Sequence, residues 1–234
     1  MNLRPLIPNA ITLSSMACGV VSIVHSWTGD PLEAGWWILY ATLLDRMDGM
    51  TARALKATSA LGASLDSFAD FVAFGIAPAF LAFAACGGAF DLRVVAPMIV
   101  YIMACALRLA RFGLAPDKKL FEGTPSTMSG GVFAVAMIVG LTHRLPQLPL
   151  VAPVMLVLFG AAMNATPLRY GKVGSGHSPG ARYTLLGLVA ICTVLILVRA
   201  LPEVLLAITG TLMVLGPLIT VWDQRAGNKG SAQP

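Results

Sequence analysis

Four of the chain's 11 acidic residues, Asp45, Asp48, Asp66 and Asp70, stand in apolar surroundings within one short stretch. An isolated carboxylate in a bilayer costs about 2.5–3.5 kcal/mol even on lenient scales, so such residues persist with partners and mark functional sites. Asp45 and Asp48 are spaced i, i+3, and Asp66 and Asp70 i, i+4, so each pair shares one helical face. The short connection between the two segments predicts antiparallel neighbours whose acidic faces meet. Four facing carboxylates repel strongly at low dielectric and require protons, Arg or Lys partners, or divalent cations. All-oxygen ligation suits Mg2+, Mn2+ or Ca2+ rather than zinc. Two carboxylate-bridged ions would form a clamp for phosphoryl oxygens. The competing reading is a structural cluster paired with Arg46, Arg53, Arg108 and Arg111, and four acids at helical spacing weigh against it. Gly49, Ala52 and Gly62 set small side chains beside the acidic faces, leaving room for a flat ligand or for close helix packing. Arg53, one turn beyond Gly49, can reach a phosphate.

These residues need helices to carry them. The chain has 234 residues, 57% hydrophobic and 12% charged, with mean hydropathy +0.79. Soluble domains hold about 25% charged residues, so an ordinary soluble domain, a disordered chain and a coiled coil are excluded. Apolar blocks near 8–27, 34–55, 63–86, 93–113, 127–143, 148–164, 183–200 and 203–222 predict an all-α, polytopic integral membrane bundle of about eight transmembrane helices. A seven-span variant would merge or drop one of the blocks flanking Arg144-Leu-Pro-Gln-Leu-Pro149. Residues 1–226 are expected to form one membrane domain, with 227–234 a disordered tail.

The net charge of +5 and pI near 9.3 do not indicate nucleic acid, because the positive charge sits in short loops. Thirteen Lys and Arg fall on the side of the N-terminus, the even loops and the C-terminus. Only Arg93, Arg144 and Arg199 fall on the other. This asymmetry predicts both termini and the acidic site on the cytoplasmic side of the cell membrane. The first block follows Arg4 but lacks a small-residue cleavage site, so a retained span is expected. The four cysteines, Cys18, Cys86, Cys105 and Cys192, lie in apolar blocks without a CxxC pair and read as small buried side chains.

The pattern Asp45-x2-Asp48-Gly49-x2-Ala52-Arg53-x8-Gly62-x3-Asp66-x3-Asp70 resembles the signature of the CDP-alcohol phosphotransferase family, with all eight of its positions filled. The family's members are integral membrane enzymes that move a phosphatidyl or similar phosphoryl group from a CDP-linked donor to an alcohol and release CMP. The resemblance implies two divalent ions, Mg2+ or Mn2+, held by Asp45, Asp48, Asp66 and Asp70, with Asp70 as general base. It implies that Asp48, Gly49, Ala52, Arg53, Gly62 and Asp66 line the CDP-lipid pocket. Pro8-Asn9-x2-Thr12 resembles the family's N-terminal nucleotide-side element, which adds Asn9 and Thr12. A homodimer among membrane lipids is also implied.

Within the family the sequence is similar to bacterial and archaeal phosphatidylserine synthases along three stretches: Leu65 to Pro78, Leu107-Arg-Leu-Ala-Arg-Phe112, and Phe121-Glu-Gly-Thr-Pro-Ser126. The resemblance therefore implies CDP-diacylglycerol as donor and L-serine as acceptor. Gly113, Thr124 and the run Thr127-Met-Ser-Gly-Gly131 depart from the usual residues, close to where the acceptor is expected. Glycerol 3-phosphate, inositol phosphate or another amino alcohol therefore stay open as acceptors.

Direct in-line attack by the alcohol, without a covalent enzyme intermediate, is the expected route. Arg108 and Arg111, with Arg169, are expected to bind the acceptor or a phosphate, since arginine forks match both. Lys118 and Lys119 read as headgroup contacts, while Tyr170 and Lys172 could extend the acceptor pocket. His25 and His143 are expected at the external end, and His177 in a solvated loop. Trp27, Trp36 and Trp37 read as an interfacial belt. An intramembrane prenyltransferase would carry separated Asp motifs in distant spans. A divalent-cation or proton transporter would carry acids reaching both faces.

Overall fold

The computed structural model describes residues 5–114, 120–165, 169–171 and 179–215. Eight helices account for nearly all of them: α1 (Leu6–Trp27), α2 (Pro31–Ala54), α3 (Ala60–Ala85), α4 (Leu92–Leu114), α5 (Ser126–Thr142), α6 (Leu148–Asn164), α7 (Pro179–Val198) and α8 (Pro202–Leu215). Each begins within four residues of its apolar block, and α5 and α6 are separate helices rather than one merged block. By length and composition, α1, α3 and α4 are long and apolar enough to cross a membrane. The architecture is an all-α bundle with one small addition. Strands β1 (Leu120–Glu122) and β2 (Arg169–Gly171) pair antiparallel and clip the α4–α5 connection to the α6–α7 connection.

Local chemistry sets the helix ends near the acids. The Asp30 carboxylate accepts the Glu33 N–H at 3.2 Å, and Pro31 opens α2 where a missing N–H does no harm. At the far end the Ala57 N–H reaches the Ala52 carbonyl at 2.9 Å, with Lys56 in the left-handed region at φ 50°. This is the reversal that glycine usually serves. Ser59 then caps α3, its hydroxyl accepting the Gly62 N–H at 3.0 Å. The reversal is tight and sends α3 back along the bundle, its first half packed on α1 and its second half on α2.

Packing follows membrane rules, with small residues and hydroxyls at the helix contacts. On α1, Ser15 donates to the Ala41 carbonyl at 3.0 Å and Ser22 to the Ala34 carbonyl at 2.8 Å, fixing α1 along α2. A Cβ on Gly19 would meet the Ala73 Cα at 2.7 Å, so α1 also presses on the α3 backbone. Helix α5 is buried on nearly every side, with Phe133, Val135, Met137 and Ile138 all in the core. Exposed apolar residues such as Leu13, Val20, Ile99, Met103, Val154 and Leu158 face outward from α1, α4 and α6, as a lipid-facing surface requires.

Residues 71–76 of α3 are wound as a π-helix. Pro78 explains this. It has no N–H to offer the Phe74 carbonyl, and its ring crowds that carbonyl in a regular helix. The turn widens, and the buried Tyr101 hydroxyl of α4 donates to the Phe74 oxygen at 2.8 Å.

The aromatic belt is corrected in one member. Trp27 is 77% exposed, but Trp36 is only 5% exposed and belongs to the core, beneath the Arg199 guanidinium at 5.8 Å. Arg199, in the α7–α8 turn, donates to the Tyr40 hydroxyl at 2.8 Å and pairs with Glu33. Hydrogen bonds to Glu33 and Tyr40 hold its guanidinium above the ordinary range. His143 meets Glu203 at 2.7 Å and His25 lies 3.8 Å from Asp30, both at this end of the bundle and away from the acidic cluster.

Candidate active site

The C-terminal part of α2 and the N-terminal half of α3 bring the four acids together. Oxygens of Asp45, Asp48 and Asp66 all lie within 4.8 Å of one another. Asp70 stands beside Asp45, within hydrogen-bond reach. Asp48 is buried and accepts from the Thr12 hydroxyl at 2.5 Å, which ties α1 into the cluster. Asp45 accepts from the Thr127 hydroxyl at 3.3 Å. The Ser126 hydroxyl donates to Asp70 Oδ2 at 3.1 Å and accepts from Arg108 Nη1 at 2.8 Å.

None of the four acids forms an ion pair with Lys or Arg among the described residues. The purely structural cluster therefore loses its partners. Converging carboxylates with no cationic neighbour at contact fit a divalent cation, and an all-oxygen donor set fits a hard one.

Beside the acids lies a pocket of about 190 Å³. Its lining includes Asn9, Thr12, Asp48, Gly49, Ala52, Arg53, Gly62 and Asp66, so every residue expected at the CDP-lipid site borders one space. One of these is glycine for a visible reason. A Cβ on Gly62 would come within 3.2 Å of Asn9 Oδ1 and of Ser59 Oγ. A second cavity, about 380 Å³, touches Asp45, Arg46 and Thr127 at one end and otherwise runs between apolar residues of α2, α5, α7 and α8.

The expected acceptor residues divide. Arg108 is 9% exposed and points into the bundle, with Nε lacking a partner. Arg111, one turn on, is exposed. Arg169 and Tyr170 stand on β2, where only the backbone is described. Lys118, Lys119, Lys172 and His177 lie outside the described residues. Ser126 and Thr127 had no role in the sequence reading, yet they touch Asp70 and Asp45. The available signal was their place: Ser126 closes a stretch that resembles the family, and Thr127 opens the run that departs from it, close to where the acceptor is expected. Gly123 seats this run. Its φ is +77°, and a Cβ there would collide with the Met163 carbonyl, while the Thr124 N–H bonds to the Ala162 carbonyl at 3.0 Å. The turn thus docks on the end of α6 and starts α5 against the acids.

A family model described as CDP-alcohol phosphatidyltransferase matches residues 5–166. The chain is 35% identical over 123 residues to the CDP-diacylglycerol–serine O-phosphatidyltransferase of Helicobacter pylori (strain ATCC 700392 / 26695), covering 51% of this chain and 52% of that protein. It is 34% identical over 125 residues to the protein of the same name from Bacillus subtilis (strain 168), covering 53% of this chain and 71% of that one. With the Saccharomyces cerevisiae protein of that name it shares 32% identity over 151 residues, 57% of this chain and 52% of the relative. The chain thus spans about half the length of the Helicobacter and yeast relatives it matches. The family match runs from the start of α1 to just past the end of α6 and takes in every residue lining the pocket beside the acids, and the chain belongs to the CDP-alcohol phosphatidyltransferase family.

Proposed function

We propose that this chain transfers the phosphatidyl group of CDP-diacylglycerol to the hydroxyl of L-serine, releasing CMP, on the cytoplasmic side of the cell membrane. The observation that carries this reading is the convergence of Asp45, Asp48 and Asp66 beside a pocket bordered by Gly49, Ala52, Arg53 and Gly62. The names of the relatives support serine as acceptor.

Asn9, Thr12 and the small residues admit the cytidine, and Arg53 pairs with the diphosphate. The apolar cavity beyond Asp45 suits an acyl chain. Two Mg2+ or Mn2+ ions bound by Asp45, Asp48, Asp66 and Asp70 would neutralise the diphosphate and make its phosphorus more electrophilic. The Asp70 carboxylate takes the proton from the serine hydroxyl as that oxygen bonds to the phosphatidyl phosphorus. The bond from phosphorus to the CMP oxygen breaks in line, and CMP leaves with the electron pair. Ser126 steadies Asp70, and the buried Arg108, whose Nε has no partner, sets a positive charge behind Ser126. A positive charge there suits an acceptor with a carboxylate or a phosphorylated one alike, so a panel of alcohols has to decide between them.

The charge asymmetry supports cytoplasmic termini. Residues 1–226 form one membrane domain in this reading, and the protein acts as a homodimer, which light scattering in detergent tests.

The decisive assay uses purified protein with CDP-diacylglycerol, Mn2+ or Mg2+, and serine, glycerol 3-phosphate or inositol phosphate. Serine-dependent CMP release is expected, lost on chelation with EDTA and restored by Mn2+. Asp70→Asn should lower kcat by about 10²–10⁴-fold with the fold intact. Release with glycerol 3-phosphate alone would sink serine but keep the reaction class. No release with any acceptor would favour a cation transporter.

A further inference from the structure

We propose that Tyr101 is a positioning residue for Asp70: its hydroxyl holds open the widened turn of α3 that sets the angle at which Asp70 meets the other acids. The inference rests on the role proposed for Asp70 above.

The π-wound segment Phe71–Ile76 begins at the residue after Asp70, and the Ala77 N–H bonds back five residues to the Val72 carbonyl. One extra residue in a helix rotates everything beyond it by about 100° relative to an unbroken α-helix. The two halves of α3 therefore have independent phases. The half before the turn aims Asp66 and Asp70 at α2. The half after it buries Ala77, Leu81 and Ala82 in the core. That second half is locked by packing, so closing the widened turn would rotate the acids instead.

Tyr101 is the part that keeps the turn open. Pro78 leaves the Phe74 carbonyl without its regular backbone donor, in a fully buried position, and the Tyr101 hydroxyl replaces that donor at 2.8 Å. Three glycines let the surroundings grip the bulge. A Cβ on Gly19 would meet Ala73 backbone, one on Gly130 would meet the Phe74 Cβ at 3.0 Å, and one on Gly75 would meet the Cys105 sulfur at 3.0 Å. Neither Tyr101 nor Pro78 lines the pocket beside the acids.

The test separates satisfying a carbonyl from setting a phase. Tyr101→Phe removes the hydroxyl and nothing else, and kcat for CMP release should fall about tenfold or more, with KM for CDP-diacylglycerol within about twofold of the starting protein. Pro78→Ala in that background returns a backbone N–H to the Phe74 carbonyl. The double variant should regain thermal stability while kcat stays low, because a regular helix now sets the wrong angle. A Tyr101→Phe protein with the original kcat, or a double variant that regains kcat along with stability, would overturn the proposal. If Tyr101→Phe does not fold alone, the double variant, whose Phe74 carbonyl has a backbone donor again, decides, with lowered kcat expected and an unchanged kcat fatal. Mn2+ affinity of the lipid-free proteins, read by EPR, should weaken at least threefold in the double variant Tyr101→Phe with Pro78→Ala. This readout holds even if the starting protein releases no CMP, an outcome that would sink the proposed function. Unchanged Mn2+ affinity in that case would overturn the role of Tyr101 as well.

Discussion

Ser126 carries the most leverage per atom in this molecule. Its single hydroxyl accepts from Arg108 and donates to Asp70, so a cation and the proposed base are linked through one small side chain. Arg108 is buried and Asp70 partly so, and hydrogen bonds to charged groups are worth about 1.5–3 kcal/mol. Ser126→Ala should therefore cost about 10–100-fold in kcat, measured as CMP release, and should raise the KM for the acceptor more than that for CDP-diacylglycerol. Equal effects on both KM values would place Ser126 outside the acceptor side of the site. Thr12 holds a similar position on α1, where its hydroxyl donates to Asp48.

At the scale of elements, the α2–α3 reversal decides whether the two acid pairs meet. Only residues 55–59 separate the helices, and a backbone reversal and a serine cap do the turning. Lys56 occupies the left-handed position at φ 50°, which strains any residue with a Cβ. Lys56→Gly should raise stability by about 0.5–1 kcal/mol, read as a higher melting temperature in detergent. A lower melting temperature would mean that the lysine side chain contributes more than its backbone costs. The Gly123 turn does the corresponding work for α5, bringing Ser126 and Thr127 to the acids from the opposite direction.

Across the whole molecule, the two ends of the bundle have different tasks. One end holds the acids. The other is fastened by Arg199, which joins the α7–α8 turn to Glu33, Tyr40 and Trp36 of α2. The Arg199–Glu33 pair is partly exposed, so its value is modest, and the aromatic contacts add to it. Arg199→Met should lower thermal stability by about 1–2 kcal/mol while KM for CDP-diacylglycerol is unchanged. A raised KM would show that the second cavity, walled in part by α7 and α8, depends on this fastening.

Hydropathy and residue spacing are local properties. They were enough to delimit eight helices and to pair the acids on two adjoining faces, and the family resemblance named residues that border the pocket. Sequence distance hid the rest. Ser126 lies 56 positions from Asp70, and Thr127 lies 82 from Asp45, so no periodicity could link them. Arg108 and Arg111 looked equivalent at one turn's spacing, and only the packing of α4 against its neighbours buried one and exposed the other. Trp36 read as a belt residue until the α7–α8 turn folded over it. A proline at position 78 disturbs the helix one turn before it. The phase of that disturbance was decided by a tyrosine on the next helix, because a freed carbonyl in an apolar interior takes whichever donor the tertiary fold brings within reach.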